Sequence, residues 1–355
     1  MTPRTPTGMM TIGAPWSVAG SLATMHMHRW ITLSGLAAFV TMACTAPGIA
    51  QSRTEITIND TDVSPENLTS TADGTVYFGS RAKGTIYRAR PGAAQAEPWI
   101  LASSHDLTNV LGVLADERSG TLWVCSNAQG RPGGPTTGET TVRAFDLKTG
   151  AQKARYPVPG GGLCNDIAVA SDGTTYVTES FGGRILRLKP GADSLDVWLA
   201  DPQELAIVDG VSLLADGALY VNTYFTGRLY RIPVQPDGSA GAPQQLQTTI
   251  PMERPDGLRA VGPNVLLQAE GGGRLTQITI EGTRADVRVV KDGLTGATGV
   301  TLVGEQAFVL VEHLKAVAVP YRAAAPVADA SAPPRVDVVP ATRVSLARDV
   351  VDPRL

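Results

Sequence analysis

Six polar residues recur at one phase of an internal repeat, and their side chains are of the kind that bind a hard cation. Carboxylate, amide and hydroxyl oxygens are the ligands that calcium prefers, ahead of magnesium or zinc. Several acids brought together are costly to bury unless a cation lies among them. The six residues follow one another at intervals of 42 to 56 residues: Glu66, Asn109, Asn165, Asp209, Asp256 and Thr298.

Turn chemistry is the alternative interpretation of these residues. Asn and Asp are common in the turns that lead into strands, and the glycine after Asp209 and after Asp256 fits such turns. A turn does not require Glu66, however, and recurrence at a single phase favours a shared site.

The elements that would position these residues are short apolar runs separated by Gly or Asp-Gly turns. Each unit offers three or four strands of about five residues, too few to bury its own apolar face, so neighbouring units must cover it. Residues 308–311 are apolar on both faces, as in a sheet between two others. Four-stranded units of roughly forty residues form β-propellers. We therefore predict an all-β, six-bladed β-propeller over residues 54–320.

The two ends of the chain lie outside the predicted propeller. Residues 1–50 contain an apolar run, 31–43, that follows His28 and Arg29 and precedes small residues, as in a signal peptide; the first 24 residues carry no pattern and are an expected misassigned extension. The run is too short to anchor the chain in a bilayer, so we expect export to the periplasm or beyond the cell and no membrane association after cleavage. Residues 321–355 are rich in Ala and Pro and are expected to be ordered in part at most.

Closure of the ring requires a strand from one end of the repeat region. Residues 54–58 alternate polar with apolar and are predicted to form the outer strand of the last blade, with residues 335–339 as the alternative.

Cys125 ends the second strand of one predicted blade, and Cys164 precedes the first strand of the next blade. Both cysteines therefore lie on one rim, in adjacent blades. A disulfide between them is predicted, with two buried thiols as the alternative.

The net charge of -3 and the lack of basic runs give no reason to expect nucleic-acid binding.

The motifs around these acids resemble those of the gluconolactonase and senescence marker protein (regucalcin) family, which is related to paraoxonases and diisopropyl fluorophosphatase. The resemblance extends over about residues 60–320. It implies a divalent ion in the channel, calcium first and zinc, magnesium or manganese as alternatives, bound by Glu66, Asn165, Asp209 and Asp256. Asp209 stands where the family usually has Asn, and the added carboxylate should tighten cation binding but withdraw less charge from a bound carbonyl. The matching motifs are Pro65-Glu66-Asn67, Asn165-Asp166-Ile167-Ala168, Asp209-Gly210-Val211 and Pro255-Asp256-Gly257-Leu258.

The resemblance also implies a hydrolase that acts on a small-molecule lactone or related ester. Asp166 resembles a carboxylate proposed as nucleophile or base in some relatives, Asp209 is the other candidate base, and a supporting role for Asp166 is the alternative. His313 and His105 are expected to be loop or surface residues. The competing prediction is a non-catalytic propeller that keeps a structural ion and binds a ligand or protein. The predicted substrate-binding residues are Arg81, Asn109, Asn127, Glu179, Asn222, Tyr224, Glu270 and Glu312.

Overall fold

Short β-strands are almost the only regular secondary structure in the computed structural model, which describes residues 53–130 and 136–322. The predicted signal segment, most of the predicted tail and the alternative closing strand lie outside the described residues. Among the described residues the only helix is α1 (Ala102–His105), which has four residues, so the all-β prediction is confirmed for this part of the chain. None of the described helical segments has the length and apolar character needed to cross a membrane. The strands in chain order are β1 (Glu55–Ile58), β2 (Pro65–Ser70), β3 (Val76–Ser80), β4 (Ile86–Ala89), β5 (Gln95–Ile100), β6 (Val110–Asp116), β7 (Thr121–Ser126), β8 (Gln129–Gly130), β9 (Thr136–Thr137), β10 (Thr141–Asp146), β11 (Gln152–Pro157), β12 (Cys164–Val169), β13 (Thr175–Glu179), β14 (Arg184–Leu188), β15 (Asp196–Ala200), β16 (Val208–Leu213), β17 (Leu219–Thr223), β18 (Arg228–Ile232), β19 (Gln244–Gln245), β20 (Gln247–Thr248), β21 (Pro255–Ala260), β22 (Val265–Glu270), β23 (Arg274–Glu281), β24 (Arg284–Asp292), β25 (Val300–Val303), β26 (Gln306–Val311) and β27 (Lys315–Pro320).

Antiparallel hairpins build the sheets in chain order. Strands β6, β7, β10 and β11 form one four-stranded sheet, β12 to β15 the next, and β16 to β19 the third. Strands β21 to β24 form a five-stranded sheet with β20 at its outer edge. An eight-stranded sheet has the order β2-β3-β4-β5-β1-β27-β26-β25 and thus combines the first strands of the chain with the last. Between β7 and β10, the extra hairpin of β8 and β9 explains why the repeat interval is longest there.

The first and last parts of the repeat region are joined by β1. This strand pairs antiparallel with β27, with Glu55 opposite Val317 and Ile56 opposite Ala316. Its other edge pairs in parallel with β5. The prediction that residues 54–58 add a strand to the last sheet is therefore confirmed.

Apolar side chains fill the spaces between successive sheets. The second strand of each hairpin series is buried on both faces, as in β3, β7, β13, β17 and β22. Six buried clusters lie between sheet pairs, and one of them joins Leu68 and Phe78 to Phe308 and Leu310 from the other end of the chain. Cys125 of β7 and Cys164 of β12 form a disulfide, with their Cα atoms 5.4 Å apart, which confirms the predicted pairing.

Candidate cation site

A β-bulge near the start of five first strands positions the candidate ligands. At each bulge the first strand has one residue more than its partner, so that two consecutive residues are placed away from the regular ladder. Glu66 and Asn67 occupy this place in β2, and Asn165 and Asp166 occupy it in β12. The bulges lie between Pro65 and Leu68, Val110 and Val113, Cys164 and Ile167, Val208 and Val211, and Pro255 and Leu258.

The register of β6 shows that one predicted site residue, Asn109, does not occupy the same position of the repeat as Glu66. In β6 the position equivalent to Glu66 is Leu111 and not Asn109, because the bulge follows Val110. Asn109 lies before the strand with a positive φ of 40° and does not line the cavity described below. The repeat phase assigned to it from sequence was therefore wrong by two residues.

Close contact between neighbouring first strands explains the glycines that follow the acids. Gly210 and Gly257 lie inside β16 and β21 and not in turns. A Cβ atom on Gly210 would lie 2.4 Å from the Asp256 carbonyl oxygen, and one on Gly112 would lie 2.1 Å from the Asn165 carbonyl oxygen. The glycines let the backbones of adjacent first strands approach each other around the channel, so the turn interpretation is wrong for Gly210 and Gly257.

Three predicted ligands form a buried group of acids. Asp209 and Asp256 are 4% and 5% exposed, and Glu66 is 6% exposed. Burial raises the pKa of Asp209 well above its usual range, the charges of Glu66 and Asp166 raise it further, and contacts with the side chains of Asn165 and Asp256 lower it. Burial likewise raises the pKa of Asp256, with Asp209 the first of the charges that add to it. The four predicted ligands are thus brought together.

The charges around these acids fit a divalent cation. Glu66 lies 3.6 Å from Arg81, whereas no Arg, Lys or His lies within 4 Å of Asp209 or Asp256 in the described ranges. Two oxygens at the site are buried without a hydrogen-bond partner: Thr298 Oγ1, and Glu66 Oε2, which lies 3.6 Å from Arg81 and 3.8 Å from His313. Such orphaned oxygens are rare in folded proteins and indicate an absent partner. Within residues 53–130 and 136–322, no group of three or more His, Cys, Asp or Glu side chains is arranged to hold a metal ion by itself, so a cation here would also need amide or hydroxyl oxygens as ligands.

A small cavity opens from the acids to the surface. Its volume is about 70 Å³, enough for an ion with water but below the roughly 300–1,000 Å³ of drug-sized ligand pockets. Burial raises the pKa of Tyr224 to about 12, and the charges of Asp256, Asp209 and Glu66 contribute. The lining residues, which we call the mouth, are Glu66, Arg81, Asp209, Tyr224, Arg254, Asp256, Gly271, Gly296, Thr298 and His313.

Asp166 is placed in an ion pair and not free at the mouth. Its two oxygens accept hydrogen bonds from both terminal nitrogens of Arg259, at 2.7 and 3.1 Å. The Asn67 amide and the Val211 N–H also donate to this carboxylate, at 3.2 and 3.1 Å. A carboxylate with all these donors is not available as a nucleophile or base, so the geometry favours the supporting role.

Two acids predicted to bind substrate are buried structural groups instead. Glu179 is fully buried and accepts hydrogen bonds from three backbone N–H groups and from Arg184 Nε at 2.7 Å. Glu270 is also fully buried and pairs with Arg274 at 2.6 Å. The two carboxylates stabilise the turns that follow β13 and β22, and neither lines the mouth.

Two predicted amides join neighbouring strands. Asn127 accepts from the Cys164 N–H and donates to the Cys164 carbonyl, at 2.8 and 2.9 Å. Asn222 accepts from the Gly210 N–H at 2.8 Å and donates to the Asp256 carbonyl at 2.7 Å. Their substrate-binding assignment was wrong because both amide ends are used inside the fold.

The remaining predicted residues divide between the mouth and the surface. Arg81 and Tyr224 line the mouth, as predicted, whereas Glu312 is exposed in a turn and does not. Sequence reasoning missed Arg254 and expected His313 to be a surface residue or a hydrogen-bonded loop group. His313 lines the mouth, with Nδ1 3.2 Å from the Pro65 carbonyl oxygen. Its position just after a second strand was the available signal.

Comparisons with known proteins show the fold. No protein-family model matches the sequence, and no curated protein matches it. A gluconolactonase from Xanthomonas campestris has 15% identity and a TM-score of 0.57, over 73% of this chain and 86% of that one. Virginiamycin B lyase from Staphylococcus aureus has 14% identity and a TM-score of 0.53, over 76% of this chain and 98% of that one. A PQQ-bound aldose sugar dehydrogenase from Streptomyces coelicolor has 15% identity and a TM-score of 0.56, over 76% and 96%.

These neighbours are β-propeller enzymes, so the β-propeller prediction and the resemblance to gluconolactonases are confirmed for the fold. The named activities belong to the neighbours and cover different reaction classes.

Proposed function

We propose that this chain is an exported, divalent-cation-dependent hydrolase that acts on a lactone or related ester at the mouth. The observation that carries the proposal is the buried pair of Asp209 and Asp256, two carboxyls in contact with no cationic partner among the described residues. Two uncompensated carboxylates match the charge of one divalent ion. Calcium is the first choice because every candidate ligand atom is an oxygen.

Six blades are part of this proposal. The eight-stranded sheet divides at the parallel β1 and β5 contact into two four-stranded units, and the other large sheets supply four more. The six interlayer clusters support the same count. A ring of this kind directs its first strands toward one axis, which is why separate stretches supply the ligands.

The residues of the mouth have distinct expected roles. Glu66, Asn165, Asp209 and Asp256 would hold the ion, and Thr298 offers a further oxygen. A bound divalent ion polarises a carbonyl and makes a bound water a better nucleophile.

The side chains around the acids suit a polar or anionic ester. Arg81 and Arg254 offer guanidinium groups to a carboxylate or hydroxyl of the substrate. Tyr224, with its raised pKa, keeps its proton at neutral pH and can donate a hydrogen bond. The His313 side chain, 34% exposed, can accept a proton from water, a role that Asp166 is too firmly paired to take.

The second candidate function is a non-catalytic propeller in which the ion is structural and the face binds a ligand or protein. The specific observation in its favour is the cavity volume of about 70 Å³, which leaves little room for an enclosed substrate. Fold alone does not choose between these roles, since propellers support both.

The test begins with protein treated with a chelator and then titrated with calcium. We expect calorimetric binding of one ion, lost in Asp256→Asn and retained in Asp286→Asn, a matched carboxylate exposed on β24. A panel of lactones and aryl esters should then show calcium-dependent turnover that falls in His313→Gln while calcium affinity is unchanged. Ion binding without turnover would favour the non-catalytic candidate, and equal binding by both Asp variants would refute the cation site.

A further inference from the structure

A second set of polar groups follows three of the candidate ligands in sequence, one to three residues later. Glu66 is followed by Asn67, Asn165 by Asp166, and Asp256, three residues later, by Arg259. Asn67, Asp166 and Arg259 lie on β2, β12 and β21 and contact one another. We call these three residues the clasp.

Arg259 holds the clasp together. Its Nη1 donates to Asp166 Oδ2 at 2.7 Å, and its Nη2 donates to Asp166 Oδ1 and to Asn67 Oδ1, both at 3.1 Å. The Asn67 amide donates in turn to Asp166 Oδ1 at 3.2 Å. One guanidinium therefore ties three first strands that are far apart in the chain. The Asp166 side chain is 1% exposed and that of Arg259 is 12% exposed, so water competes little for these bonds.

The clasp also lies next to the acids. Arg259 pairs with Asp166, a carboxylate close enough to Asp209 and Asp256 to contribute to their raised pKa values. Its Nε is buried without a hydrogen-bond partner. The guanidinium is thus kept in place at the cost of one unsatisfied donor, which points to a role beyond filling space.

We propose that Arg259 is a positioning residue for the cation site. By fixing β2, β12 and β21 relative to one another, it sets the spacing of the oxygens of Glu66, Asn165 and Asp256. Binding sites for ions need their ligands held within about 0.5 Å, and supporting partners provide that rigidity. The inference rests on the proposed cation site and assigns to Arg259 no contact with substrate.

The decisive variant is Asp166→Asn with Arg259→Met, because it removes the ion pair and leaves the net charge unchanged. Any loss of affinity then reports ligand position and not charge. We expect the calcium Kd to rise about tenfold or more, as for other partners that support metal ligands. Terbium bound at the site should also show a changed emission lifetime, since looser ligands admit more water. Arg259→Lys, which keeps the charge but lacks the two-pronged geometry, should fall between this variant and the wild type.

The control is Arg187→Met. Arg187 makes a two-pronged ion pair with Asp196 on the outer strands, and its side chain is also 12% exposed. Calcium affinity and terbium lifetime should be unchanged in this variant. Should the double variant not fold, Arg259→Lys decides. The inference is overturned if the test variants bind calcium as the wild type does, or lose no more affinity than Arg187→Met. If the wild type binds neither ion, the proposed function itself fails.

Discussion

Replacement of Asp209 by Asn should move stability and cation affinity in opposite directions. The carboxyl is buried and in contact with that of Asp256, and both pKa values are raised by burial and by neighbouring charge. Without a cation the pair is a source of repulsion, and with a cation it is the centre of the binding site. An amide at position 209 removes the repulsion but supplies a neutral ligand.

The size of the effect follows from the contact. Two unit charges about 4 Å apart repel by about 4 kcal/mol at an effective dielectric constant of about 20. A proton shared by the two carboxyls relieves part of this repulsion, and each unit by which a pKa is raised corresponds to about 1.4 kcal/mol. We therefore expect metal-free Asp209→Asn to gain about 2 kcal/mol in unfolding free energy, or roughly 4–8 °C in Tm. The calcium Kd should rise roughly tenfold to a hundredfold, because ligand charge tunes calcium affinity.

The assay is thermal unfolding of chelator-treated protein with and without calcium, together with calorimetric titration. Asp286→Asn is the control, since it removes one exposed carboxylate from an outer strand and should change neither quantity. A lower Tm for metal-free Asp209→Asn would show that the carboxyl is stabilised by contacts and not strained by repulsion. An unchanged calcium Kd would exclude Asp209 from the site. Either result refutes the reasoning.

Three further predictions concern the surroundings of the site. Loss of the disulfide in Cys125→Ala with Cys164→Ala should cost about 4 kcal/mol, from its sequence separation of 39 residues; urea unfolding measures this, and a loss below about 1 kcal/mol contradicts it. In the folded protein the buried carboxyl pair keeps protons that the unfolded chain releases above about pH 4. The stability of the metal-free protein should therefore fall as the pH rises toward the raised pKa values. The increase in Tm on adding calcium should be larger at pH 8 than at pH 5, and an increase independent of pH would contradict this. Gly112→Ala should cost about 1–3 kcal/mol by pushing a Cβ against the Asn165 carbonyl; it should also weaken calcium binding, and unchanged affinity would show that this strand contact does not position the ligand.

The sequence alone determined the repeated features of this protein. Short apolar runs and Gly turns at a regular interval require sheets that cover one another, so the all-β fold followed from local pattern. The closing strand was predicted from alternation and the disulfide from two positions on the same rim of adjacent blades. The repeat placed Glu66, Asn165, Asp209 and Asp256 at one phase with Asn109 and Thr298, and the resemblance to the gluconolactonase family selected these four as candidate ligands.

The tertiary structure decided everything that depends on contacts between sheets. The register of β6 puts Leu111 and not Asn109 at the position equivalent to Glu66, and no local sequence pattern shows that register. The bulges also have no sequence signature, so Asn67 was not recognised as an inward-facing group. Glu179 and Glu270 occur at strand ends as a substrate-binding residue would, and only their donors show that they are structural. Arg259 reaches Asp166 across 93 residues of chain. Pairings of that kind are set by where the ring brings strands together, because a side chain's partners are neighbours in space and not in sequence.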